Sequence, residues 1–228
     1  MTSKLELRSV APIHLAALAL AATLAAMLAS GAVIDRIAVT VGNRVITTSD
    51  IEREIRVTAF LNGQQPDLSQ ASKRAAVERM VEQRIVRREL ETSRYPVPQA
   101  AEIEPVLAAF RRRYYPADPD YRSALAQYRI GDQDVRDALL WQRTLLQFID
   151  VRFRPAVQIT AEEIQKYFDT VLTPRFRHEQ PGKTISLDDY RDQIEDILAG
   201  QREDREMDNW LREARRQTPT VYHDEALQ

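Results

Sequence analysis

The chain has 228 residues, 44% of them hydrophobic and 29% charged, and its 32 basic and 34 acidic groups leave a net charge of −2. That length allows one large domain or two small ones. The apolar fraction excludes wholesale disorder, and the charge balance argues against nucleic acid as the main partner. There is no cysteine, and there are only 3 histidines, which excludes disulfides, thiol catalysis and cysteine-ligated zinc. With 7% aromatic residues and 6 glycines, the composition disfavours a β-sandwich or barrel.

Lys4 and Arg8 precede an apolar run from Ile13 to Leu28, broken only by His14 and Thr23, and the small residues Ala29, Ser30, Gly31 and Ala32 follow. A basic start, an apolar middle and a small-residue end describe a secretory signal peptide over residues 1–32, which predicts an exported protein. The competing reading is an uncleaved span over residues 13–28, although that run is short against the ~20 residues a membrane crossing needs.

From Val33 to Thr47, β-branched residues surround Gly42-Asn43, the pattern of a tight β-hairpin. A lone hairpin is marginal in water, and the only other β-prone segment is Thr220–His223. The two are expected to pair. Ser49 with Glu52 suggests a capping box that opens a first helix, which Asn62-Gly63 ends. Pro66, Asp67 and Ser69 open a second helix through about Thr92. Its apolar face carries Ala76, Val77, Met80, Val81, Ile85 and Leu90 at spacings of three and four.

A third helix is expected from Gln99 to Tyr115, with Pro105 kinking it or resetting its start. Asp118-Pro119 opens a short helix bearing Tyr121, Leu125 and Tyr128. Gly131-Asp132 opens a long one to about Phe153. Thr160 with Glu163 is a second capping box. Residues 173–184 contain two prolines and a glycine and read as an exposed connection. A last long helix starts at Ser186, contains Gly200, and ends at Thr218-Pro219. The expected fold is therefore mainly α, many-helixed, with a hairpin near the N-terminus paired to a short C-terminal strand.

Few residues suggest chemistry. No two histidines are near each other in sequence, so neither a metal site nor a catalytic triad is expected, and no cofactor. Glu162-Glu163 and Asp188-Asp189 sit at helix starts, where negative charge favours the macrodipole. Arg87-Arg88 and Arg111-Arg112-Arg113 read as solvated helix faces first and as contacts for an anionic partner second. Tyr114, Tyr115, Tyr121 and Tyr128 cluster around the Pro116–Pro119 break. Aromatics with polar tips suit contact with apolar peptide, which makes these four the candidate peptide-binding residues. The alternative is that they fill a helical core, the preferred reading for Phe110 and Trp141.

Four segments, taken in order, resemble the SurA-type periplasmic chaperones. They are IDRIAVTVGNRVITTSDIEREI (Ile34–Ile55), AVERMVEQRIVRREL (Ala76–Leu90), GDQDVRDALLWQRTLLQFIDVRF (Gly131–Phe153) and ITAEEIQKYFD (Ile159–Asp169). The resemblance implies an N-terminal helical chaperone domain over residues 33–169, and residues 186–228 are similar to the family's C-terminal helix and strand, which pack back on it. It also implies a periplasmic location and unfolded polypeptides, outer-membrane proteins above all, as partners. In the family a parvulin isomerase domain follows the position of Asp169. Here residues 170–185 stand in its place as a connection, so no catalytic residue carries over. The expectation is binding without catalysis. Its rivals are a prolyl isomerase, by family label, and a membrane-anchored scaffold.

Overall fold

The computed structural model describes residues 35–227. The expected signal peptide, residues 1–32, and the alternative span at 13–28 lie outside the described residues. Strands β1 (Ile37–Val41) and β2 (Arg44–Thr47) form the hairpin, and β3 (Thr220–Tyr222) pairs antiparallel with the free edge of β1, giving the order β2-β1-β3. Thr40 stands opposite both Val45 and Val221, and Val39 opposite both Ile46 and Tyr222. Gly42 has φ +60. Only the first of the two turn residues is left-handed, as in a type II′ turn, where glycine avoids the Cβ clash. The Gly42 amide donates to the Pro219 carbonyl at 2.8 Å, which ties the hairpin tip to the entry of β3.

Eight helices follow among the described residues: α1 (Thr48–Leu61), α2 (Gln70–Thr92), α3 (Glu104–Tyr114), α4 (Asp118–Tyr128), α5 (Asp132–Arg152), α6 (Ala161–Tyr167), α7 (Thr173–Glu179) and α8 (Leu187–Gln217). None of them is long and apolar enough to cross a membrane. The α1 cap differs from the expected Ser49 and Glu52. Thr47 is the N-cap, and its side chain and that of Asp50 exchange bonds with each other's backbone amides. Strand β2 continues to Thr47, which places that residue in the extended conformation an N-cap requires. Glu52 instead accepts from Arg56 at 2.9 Å. Pro105 resets the third helix, since a 3₁₀ turn (Ala100–Ile103) precedes it and the proline falls in the first turn of α3. The Thr160–Glu163 capping box forms as expected.

Residues 173–184 depart furthest from the sequence reading. A π-helical turn (Phe168–Leu172) carries α6 directly into α7, so most of the expected loop is helix. Gly200 does not interrupt α8, which runs unbroken for 31 residues, about 46 Å.

Three apolar clusters hold the body together. The inner sheet face (Val39, Val41, Ile46) packs on Ile51 and Ile55 of α1 and on Ala76, Val77, Val81 and Ile85 of α2. Ala226 and Leu227 close this cluster, and Trp210, Leu211 and Ala214 of α8 flank it. A second cluster joins α1, α3, α4 and α5 around Phe60. A third joins α2, α5 and α8 around Phe148. Burying a large apolar side chain contributes roughly 1.5–3 kcal/mol, so the fully covered Phe60 and Phe148 are principal anchors.

Candidate functional site

The four tyrosines do not share one surface. Tyr121 is 3% exposed, whereas Tyr114 is 54% exposed. Tyr115, Tyr121 and Tyr128 converge on Phe60, with ring centroids at 5.4, 6.1 and 5.3 Å. The Tyr128 hydroxyl donates to the Gln64 carbonyl at 2.8 Å, and that of Tyr121 to Asp132 at 2.9 Å. Burial, with the bond to Asp132 second, pushes the Tyr121 phenol well above its ordinary range, and burial raises Tyr115 as well. These three are packing residues, and the tips of Tyr121 and Tyr128 are satisfied. Only Tyr114 presents its ring to solvent, beside Phe110 at 5.1 Å and under Arg113 at 5.3 Å.

Two clefts that share lining residues lie elsewhere, along α2 and α5, the first also bordered by α1. One cleft of about 440 Å³ has Val57, Leu61, Met80, Ala138, Trp141 and Leu145 as its apolar wall. A second, of about 490 Å³, is lined by Leu90, Val97, Leu140, Trp141 and Thr144. Arg87, Asp137 and Trp141 belong to both. Together they form one interrupted groove with Trp141 at its waist. The Arg87 guanidinium lies 4.1 Å from the centroid of the Trp141 ring, a cation–π arrangement. Partial removal from water, and next the charge of Arg84, hold the pKa of Arg87 below its usual value.

The carboxylates around the groove are already engaged. Asp50 accepts from the Thr47 amide at 3.2 Å and from Arg53 at 3.1 Å. Asp134 accepts from the Gly131 amide at 2.7 Å and faces Arg53 at 3.7 Å. Asp137 accepts from Gln133 at 2.7 Å, Glu54 from Gln83 at 3.4 Å, and Glu91 from Arg44 at 2.8 Å. Arg84 and Arg87 have no carboxylate within ion-pair distance among the described residues. The clefts offer apolar side chains on either side of Trp141, and their polar lining mixes guanidinium donors with carboxylate and amide groups.

Sequence reasoning placed Trp141 in the core and Arg87 on a solvated face. The spacing of Arg84 and Arg87, one helical turn apart, is the signal that both sit on one edge of α2. Among the described residues no group of three or more His, Asp or Glu could hold a metal ion. His178 and His223 are both exposed. Comparison with known proteins returns no matching family model and no matching curated protein.

Proposed function

We propose that the protein is a SurA-type, chaperone-like protein of the periplasm that binds unfolded polypeptide, outer-membrane proteins in transit above all, without catalysis. The observation that carries this reading is the pair of clefts along α2 and α5, the first also bordered by α1, in which apolar side chains, Trp141 among them, lie beside polar and charged ones. Such a surface covers apolar segments one side chain at a time and releases them without an energy source, because each contact is worth little alone. The hairpin closed by a C-terminal strand is also the arrangement the family resemblance implies. Where the family carries its isomerase domain, after the position of Asp169, this chain carries the short helix α7.

The test is suppression of aggregation. An outer-membrane protein diluted from urea should scatter less light in the presence of a molar excess of this protein, and proline isomerisation of a reporter peptide should stay at the uncatalysed rate. Undiminished scattering would refute the holding function, and an accelerated isomerisation would refute the non-catalytic one.

A further inference from the structure

The sheet ends on a strand with an open edge. β3 is last in the order β2-β1-β3, and its bonds to β1 decide which way its backbone faces. The Gly42 amide donates to the Pro219 carbonyl and the His223 amide to the Ala38 carbonyl, each at 2.8 Å. Residue pairs that exchange bonds alternate along an antiparallel ladder. Thr40 and Val221, opposite each other midway between those two contacts, are therefore the next such pair. The N–H and C=O groups of Thr220 and Tyr222 consequently point to the outer edge, and among the described residues no group bonds to them. Side chains alternate in the same way. Val45, Thr40 and Val221 share the outer sheet face, where Val45 is 44% and Val221 54% exposed.

We propose that the outer edge of β3 takes up an extended polypeptide segment of alternating apolar and polar residues as a further strand of the sheet. This adds a second contact surface to the clefts, and it rests on the reading of the protein as a binder of unfolded polypeptide.

Backbone geometry selects the occupant. Thr220 and Tyr222 offer donors and acceptors two residues apart in the plane of the sheet, a spacing that another extended backbone matches. A helix cannot answer it, because its backbone groups are spent internally. The side chains then select the pattern. Residues of the added strand that stand opposite Val221 lie beside its apolar side chain on the outer face. Their neighbours emerge on the other face, beside Thr220 and Tyr222. There the Thr220 hydroxyl bonds the Thr218 carbonyl, and the Tyr222 hydroxyl accepts from Arg215 at 2.8 Å. An alternation of apolar and polar residues is also the pattern of a membrane β-barrel strand.

A second copy of this chain is the rival occupant, and the size of the edge disfavours it. β3 is three residues long and follows Pro219, whereas a stable interface uses about 20–30 residues a side. Short edges and prolines are also the features that discourage pairing between copies. A client that must leave again needs only a weak contact.

The experiment uses the purified protein and a dilute, labelled peptide of alternating valine and threonine, blocked at both ends. Two companions carry backbone N-methyl groups, one on its valines and the other on its threonines. An added strand turns the amides of one set toward β3 and those of the other set away. Anisotropy titration should therefore show one companion bound about tenfold more weakly than the unmethylated peptide and the other bound equally. Val221→Lys changes an exposed side chain and leaves the backbone bonds to β1. It should weaken the unmethylated peptide by a similar factor, with circular dichroism and Tm unchanged. Equal behaviour of the two methylated peptides would overturn the inference, and so would unchanged binding to Val221→Lys. Sedimentation as a dimer that Val221→Lys dissociates would overturn it in favour of a second copy. The light-scattering assay keeps the two readings apart. A protein that suppresses aggregation but fails the peptide tests would sink the edge alone, and one that fails both would sink the holding function with it.

Discussion

Truncating Tyr121 and Tyr114 separates packing from contact at the tyrosine cluster. Tyr121 is 3% exposed. Its ring lies 6.1 Å from Phe60 and 5.9 Å from Tyr115, Arg111 sits 4.5 Å from its centroid, and its hydroxyl bonds Asp132 at 2.9 Å. Removing a buried aromatic ring costs about 3–5 kcal/mol, set against a total stability of about 5–15 kcal/mol. At about 2–4 °C per kcal/mol for a chain of this size, Tyr121→Ala should lower Tm by about 10 °C. Tyr121→Phe keeps the ring and loses one hydrogen bond, and Asp132 still has Arg136, so about 1 kcal/mol is expected. Tyr114→Ala removes a ring that is 54% exposed and should stay within about 0.5 kcal/mol of the parent. Urea titration followed by circular dichroism reads all three. A Tyr114→Ala variant as unstable as Tyr121→Ala, or a Tyr121→Ala variant that melts like the parent, would refute this division of the cluster.

Other consequences follow from the same contacts. Partial burial raises the pKa of Asp132, but hydrogen bonds from Arg136 and Tyr121 outweigh it and leave the group below its ordinary value. A carboxylate depressed in the folded state stabilises above its unfolded pKa of about 4 and loses that contribution as pH falls through its folded value. The stability gap between the parent and Asp132→Asn should therefore narrow from about pH 6 to about pH 3, and a constant gap would contradict the assignment. Arg129 closes α4 with φ +56, a conformation that favours glycine. Arg129→Gly should raise stability by about 0.5–1 kcal/mol in urea melts. Deleting residues 218–228 removes β3 and also Ala226 and Leu227 from the first apolar cluster. The β1 edge is then bare, and the truncated protein should lose its cooperative transition and aggregate; a soluble, cooperatively melting product would argue against the closure. Amide hydrogen exchange should be faster in α6 and α7 than in α2 and α5.

The element order was legible because each signal was local. Gly42-Asn43 marked the hairpin, and the glycine, proline and capping signals that follow it marked most helix ends. The closure by Thr220–Tyr222 was legible by elimination, since no other segment could cover the β1 edge. Errors arose where two local signals competed or where contacts were distant. The Thr47–Asp50 and Ser49–Glu52 pairs lie two residues apart, and only the length of β2 decides between them. Around residues 173–184 the prolines and the glycine outweighed a quieter pattern, Phe168, Leu172 and Phe176 at intervals of four, which is a helical stripe. Pro174 falls in the first turn of α7, where its missing N–H costs little. The tyrosines near the Pro116–Pro119 break looked peripheral because Phe60, on which three of them converge, is more than fifty residues away. Arg87 and Trp141 are similarly far apart, and the groove exists only once α5 lies alongside α1 and α2.

The two halves of α8 differ in what holds them. Its second half enters the body. Trp210 lies 5.4 Å from Phe148 and 6.4 Å from Phe153. The Arg152 guanidinium, 5.1 Å from the Trp210 ring, also bonds Glu89 at 2.9 Å and the Tyr95 hydroxyl, joining α2, α5 and α8 at one point. The first half of α8 packs instead on α6, where Ile164 and Ile194 are the buried side chains and neither belongs to the three body clusters. Two buried side chains cannot offset the backbone entropy of ordering this segment at about 1–2 kcal/mol per residue, so α6, α7 and the first half of α8 depend on their helical hydrogen bonds and on their attachment. That attachment is clasped at both ends. Arg154 faces Glu203 at 3.6 Å, and Arg202 bonds both the Gln158 carbonyl and Glu163. Chain inserted between these clasps closes a loop whose entropic cost rises by only about 0.6 kcal/mol for each doubling of its length. Lengthening the chain between the clasps should therefore cost little and leave undisturbed the strand that α8 returns to β1.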